Sequence, residues 1–181
     1  SGTTRREPVT TRTEGGFTIT DRIDVGGGVR GDFEAAVRLL EQERYAEAAE
    51  ALREVAEAAP DATAVHIDLA IAYRHLDDLE QAEKSLDRAL ELNPRHPVAL
   101  TEMGIVYRRT GRFAEARERY EQALALYPEY HFARKNLGIL CDLFIVDPGC
   151  ALEQYQLYNQ AVPEDEDVAI WIADLKNRVG R

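Results

Sequence analysis

The run PVALTEMGIVYRRTGRFAEARERYEQALALYPEY, residues 97–130, is built as a unit that the chain uses more than once. Its skeleton is Leu100, Met103-Gly104, Tyr107, Gly111-Arg112-Phe113, Ala116, Tyr120, Ala123 and Pro128. Apolar residues recur at helical spacing on both sides of Gly111, so the run predicts two amphipathic helices around one tight turn. Gly111 ends the first helix and Pro128 follows the second.

One period earlier stand Leu69-Ala70, Tyr73, Leu79, Ala82, Leu86, Ala89 and Pro94, and before them Tyr45, Ala48, Leu52, Val55 and Pro60. Pro60, Pro94 and Pro128 are spaced 34 residues apart. A helix-turn-helix of this period, with small residues at set places in both helices, resembles the tetratricopeptide repeat. Gly104, Ala116 and Ala123 have a physical task in such a unit, because small side chains let the two helices approach closely.

The resemblance implies an all-α, right-handed solenoid of about four helix pairs, more than the three or so that such a stack needs for stability. The repeats fall at about residues 29–62, 63–96, 97–130 and 131–165, with a closing helix at about 166–179. The first is degenerate, with Glu43-Arg44-Tyr45 at its turn in place of a glycine and Asp32 as the expected N-cap. The fourth keeps Leu137-Gly138, but Ile172-Ala173 follows that pair by 35 residues, so it carries one extra residue. It also places Cys141 where the others have tyrosine and, on this reading, Cys150 where they have alanine. The acidic run Glu164-Asp165-Glu166-Asp167 opens the closing helix, where the helix dipole favours negative charge.

Ahead of the repeats, residues 1–28 read as a tether, a strand-like arm and a glycine hinge. Residues 1–16 hold almost nothing apolar and predict a mobile tether. Residues 17–25 alternate, with Phe17, Ile19, Ile23 and Val25 as an apolar edge that would dock on the helical body or on another molecule, since no second strand is evident. The run Gly26-Gly27-Gly28-Val29-Arg30-Gly31 matches a dinucleotide-binding pattern in its letters, but no parallel strand returns to form a nucleotide crevice. The start at Ser1-Gly2-Thr3-Thr4 reads as a processed or trimmed product, from a lipoprotein whose lipidated cysteine preceded Ser1 or from a cloning scar.

Composition narrows the function classes. The formal net charge of −11 disfavours nucleic acid and anionic membrane surfaces, and makes protein the expected partner. Membrane contact is expected only through a removed lipid anchor. His66, His75, His96 and His131 are scattered and form no zinc motif, and the chain carries no nucleophile elbow, phosphate loop or kinase signature. The reading is of a chain without catalytic activity, metal, cofactor or small-molecule substrate. Cys141 and Cys150 sit on opposite arms of one helical hairpin and face each other, either as a disulfide, which would place the chain in the periplasm or outside the cell, or as two buried thiols of a cytoplasmic protein.

In the family it resembles, the first helix of each repeat lines a concave groove that takes a partner segment. Carried over, those positions are Phe33 and Val37, then Ile67, Ile71 and Arg74, then Val98, Thr101, Ile105 and Arg108, and finally Phe132, Lys135 and Ile139. The lysine and asparagine with which some members clamp a C-terminal carboxylate are absent, Phe33, Val37 and Asp68 standing there instead. The row Val37, Ile71, Ile105 and Ile139 serves either as an apolar floor or as packing between repeats, with Arg108 and Lys135 available for an acidic flank. Three roles follow: an envelope scaffold binding a partner in the groove, a self-assembling subunit whose arm docks on the next copy in a ring or filament, and a regulatory subunit of an enzyme complex.

Overall fold

The computed structural model describes residues 9–13, 16–20 and 25–180. Among them, helices pair in sequence: α1 Gly27–Glu41 with α2 Tyr45–Ala58, α3 Thr63–His75 with α4 Leu79–Leu92, and α5 Pro97–Arg109 with α6 Phe113–Leu126. Helix α7, His131–Leu140, runs on into a π-helical turn, Cys141–Ile145, and pairs with α8, Pro148–Ala161. Helix α9, Glu166–Val179, closes the stack against α8. Each helix packs on the next, and the short connections make neighbours antiparallel. The first helices also touch one another, α1 to α3, α3 to α5 and α5 to α7, so they form the inner, concave layer of an all-α solenoid.

Small residues set the approach of the layers. Ala48, Ala82, Ala116 and Ala151 are all fully buried on the second helices, one to each pair. A Cβ placed on Gly104 would lie 2.4 Å from the Tyr120 ring, and one on Gly138 would lie 2.6 Å from the Tyr155 ring. Both rings are wedged in the core and have nowhere to retreat. Overpacking at such a contact costs more than the propensity gained by removing a helical glycine, so Gly104→Ala is expected to lose about 2 kcal/mol of stability. A urea midpoint equal to wild type would contradict the close-approach argument.

One turn geometry recurs in every pair. Glu43, Asp77, Gly111 and Val146 all adopt left-handed backbone, with φ of 58°, 62°, 80° and 59°. In the first three, the next amide closes a six-residue loop onto the helix: Arg44 N donates to Leu39 O, Asp78 N to Tyr73 O and Arg112 N to Tyr107 O. In the fourth, Asp147 N reaches back to Cys141 O, one residue further. That is where the extra residue goes, since widening a turn from α to π hydrogen bonding absorbs one insertion without breaking the helix.

The location of the insertion corrects one alignment. Because the extra residue precedes α8, Ala151 takes the buried alanine position and Cys150 stands one place before it, not in it. Val146, a β-branched residue held left-handed and 74 % exposed, is strained with no packing to offset it. Val146→Gly is expected to raise stability by about 1 kcal/mol, read as a higher urea midpoint; a fall would show that the side chain packs after all.

The N-terminal segment also departs from the sequence reading. Strand β1, Val9–Thr13, pairs antiparallel with β2, Gly16–Thr20, with Val9 opposite Thr20 and Thr13 opposite Gly16. The arm therefore has a second strand, and part of the expected tether supplies it. Four of its five residues are β-branched, which favours extended backbone, and a two-residue connection suits a hairpin. Phe17 and Ile19 belong to β2, Ile23 lies outside the described residues, and Val25 is half-buried. The expected glycine hinge is helical from Gly27, with Gly26 as N-cap, and Asp32 lies inside α1 instead of capping it. Val29 and Phe33 pack against the cluster of Leu52, Val55 and Val65, and that burial outweighs the poor helix propensity of the glycines.

Candidate functional site

The concave face is apolar between its polar contacts. Phe33, Val37, Ile71, Val98 and Ile139 are half-buried there, and Phe132 is exposed. Three other residues expected to line the groove do not present a surface. Ile67 and Ile105 belong to the core, and Thr101 is fully buried with its hydroxyl donating to the Pro97 carbonyl at 2.8 Å. Neighbouring first helices press close enough to cover those positions, so the aliphatic row is interrupted at Ile105.

Across this face, side chains link α3 to α5, α5 to α7 and the π turn to α9. Arg74 on α3 donates to Glu102 on α5, Nε to Oε2 at 2.6 Å and Nη2 to Oε1 at 3.3 Å. Arg108 on α5 donates from Nη1 to Oδ1 of Asn136 on α7 at 3.3 Å. Asp142 in the π turn accepts from Nη2 of Arg178 on α9 at 2.6 Å, and from the Tyr155 hydroxyl at 3.3 Å. Arg74 and Arg108 are one period apart, as are Glu102 and Asn136, so the first two rungs are the same contact made in successive repeats.

The charges in these rungs are held differently. Glu102 is buried, and burial pushes its carboxyl above the usual range despite the nearby Arg74. Lys135 is engaged by Asp165 at 2.6 Å and lies over the rings of Tyr158 and Trp171. That hydrogen bond holds the Asp165 carboxyl below its ordinary value. Lys135 and Arg74 are thus already partnered within the chain, whereas Arg108 has an amide and the Phe144 ring, 5.8 Å from its guanidinium.

Several surface groups were missed from sequence. Leu143 and Phe144 in the π turn, and Ile170 on α9, are exposed apolar side chains at the C-terminal end of the same layer. Ile170 could have been found by counting one lengthened period from Lys135. Leu143 and Phe144 could not, because the widened turn that presents them has no signature of its own. Cys141 and Cys150 are joined by a disulfide that ties this turn to α8, with Cα atoms 5.9 Å apart. Among the described residues no cluster of three or more side chains is arranged to hold a metal, and no helix is long and apolar enough to cross a membrane.

Residues 61–129, which hold the second and third helix pairs, match the family described as tetratricopeptide repeat. Comparison with curated proteins by sequence gives no match. Among solved structures, the chain is similar to PilF of Pseudomonas aeruginosa at 24% identity, covering 83% of this chain and 68% of that one, with a TM-score of 0.75. It is also similar to a thermophilic tetratricopeptide-repeat protein of Thermus thermophilus, at 25% identity over 81% and 80% of the two chains, with a TM-score of 0.70. A third is PilW, described as a widely conserved type IV pilus biogenesis factor, at 21% identity over 86% and 72%, with a TM-score of 0.76. Identities this low speak for the fold.

Proposed function

Because residues 61–129 match the tetratricopeptide repeat and the stack has the fold of protein-interaction scaffolds of that kind, we propose that the chain works without catalysis and takes a segment of a partner protein along its concave face. The observation that carries this reading is the inner layer itself: half-buried Phe33, Val37, Ile71, Val98 and Ile139, with exposed Phe132 and Ile170, on a face that the described helices leave partly open. The Cys141–Cys150 disulfide favours an oxidising compartment, periplasmic or extracellular. A photo-crosslinking residue at Val98 or Ile139, introduced in the producing cell, should capture one discrete protein that the same residue at Glu118, exposed on α6, does not. Equal capture from both positions would argue against the groove.

A second reading, in which copies join through the N-terminal segment, is favoured by the β1–β2 hairpin. Two strands alone are marginally stable and leave free edges for pairing. Light scattering on the full chain and on a version lacking residues 1–25, across a concentration series, separates the readings. Assembly that disappears with the hairpin supports self-association, and a monomer in both cases dismisses it.

A further inference from the structure

The middle rung of the concave ladder lacks the charge pairing of its neighbours. Arg74 faces the Glu102 carboxylate, and Asp142 faces the Arg178 guanidinium, but Arg108, the equivalent of Arg74 one period on, faces the neutral amide of Asn136. That amide is fixed in place, since its Nδ2 donates to the Phe132 carbonyl at 2.9 Å. Among the described residues no carboxylate pairs directly with Arg108, which stands on an inner face of a chain whose net charge is −11. A guanidinium has five N–H donors in a planar fork, and Asn136 Oδ1 takes one. The others match the geometry of a carboxylate, and partial burial strengthens such a bond relative to full exposure.

We propose that Arg108 is the anchor for an aspartate or glutamate side chain of the partner, flanked by apolar residues that rest on Ile71, Ile139 and Phe144. The assignment rests on the concave face being the partner site and adds the chemistry of the occupant. The partner's carboxylate fills the place that Glu102 fills for Arg74, and its apolar neighbours cover the half-buried aliphatic side chains on either side. An apolar segment without an acid would leave the guanidinium desolvated and unpaired, which is the cost that makes the site selective.

The test is to pan a random-peptide phage library against the full chain and titrate labelled versions of the enriched peptides. The expected sequences share an aspartate or glutamate at one fixed place with apolar residues on both sides. Arg108→Met should then weaken binding roughly tenfold, and amidating the peptide's acid should cost wild type the same factor while costing the variant nothing. Asn136→Asp provides a control against misfolding. It supplies the missing carboxylate from within, at the cost of the donor to the Phe132 carbonyl, so it should weaken the acidic peptides while the helical circular dichroism signal stays that of wild type. Enriched peptides that lose binding with Ile139→Asp but have no shared acid, or that ignore Arg108→Met, overturn the carboxylate anchor and leave the groove reading standing. If no enriched peptide is affected by Ile139→Asp, both fall together.

Discussion

Replacing Arg74 with methionine is expected to lower stability by about 3–5 kcal/mol at neutral pH, the usual cost of leaving one member of a buried ion pair without its partner. Glu102 is 4 % exposed and the Arg74 side chain 17 %, so solvent cannot take over the lost contact. The loss should depend on pH in a defined direction. Burial already raises the Glu102 carboxyl above its ordinary value of 4.5, so the protonated form favours the folded state. That contribution is complete below the unfolded value and is withdrawn as pH rises through the folded one. Removing Arg74 takes away a charge that lowers the carboxyl, so the penalty of the variant peaks at neutral pH and shrinks toward mildly acidic pH as Glu102 takes up a proton. Urea unfolding at both conditions reads this directly, and a loss that is the same at each would mean that Glu102 keeps its charge solvated. Adding Glu102→Leu to Arg74→Met should recover most of the stability, because the pair is then replaced by apolar contact.

Removing the Cys141–Cys150 bridge is expected to cost about 2.5–3 kcal/mol through loop-closure entropy. Both residues lie in or against the main apolar cluster, so replacement by alanine adds a small packing loss. For a domain of this size the melting temperature should fall by about 6–10 °C in the double alanine variant, and by a similar amount when the native chain is reduced. An unchanged melting curve after complete reduction would show that the π turn holds its shape without the bond. Because Leu143 and Phe144 sit on that turn, reduction should also loosen the apolar surface beside Arg108, seen as faster amide exchange from Cys141 to Asp147 than in the other three turns.

These expectations divide according to what was legible in the chain. Pro60, Pro94 and Pro128 at equal spacing, together with Met103-Gly104 and Leu137-Gly138, were enough to read the repeat, which residues 61–129 match as a tetratricopeptide repeat, and an all-α solenoid. The inserted residue of the fourth repeat could be counted, but not located. Aligning Cys150 with the repeat alanine puts it after Cys150, whereas the structure absorbs it earlier, in the π turn. The left-handed turn residues show the same limit. Gly111 announces itself, while Glu43, Asp77 and Val146 reach the same geometry because the packed helices on either side leave the connection no other path.

The groove was legible as a set of positions and not as a surface. Counting by the period places Ile71, Ile105 and Ile139 on one face, yet only the spacing of neighbouring first helices leaves Ile71 and Ile139 half-open and closes over Ile105. Nor does a single repeat show that Arg74 has a carboxylate waiting on the next helix and that Arg108 has an amide. Helix, turn and repeat are set by side chains a few residues apart, so periodicity in the chain determined them by itself. Exposure and charge pairing are set between repeats about 30 residues apart, and only the tertiary stacking of α3, α5 and α7 decided which groups were buried, which were paired and which were left open.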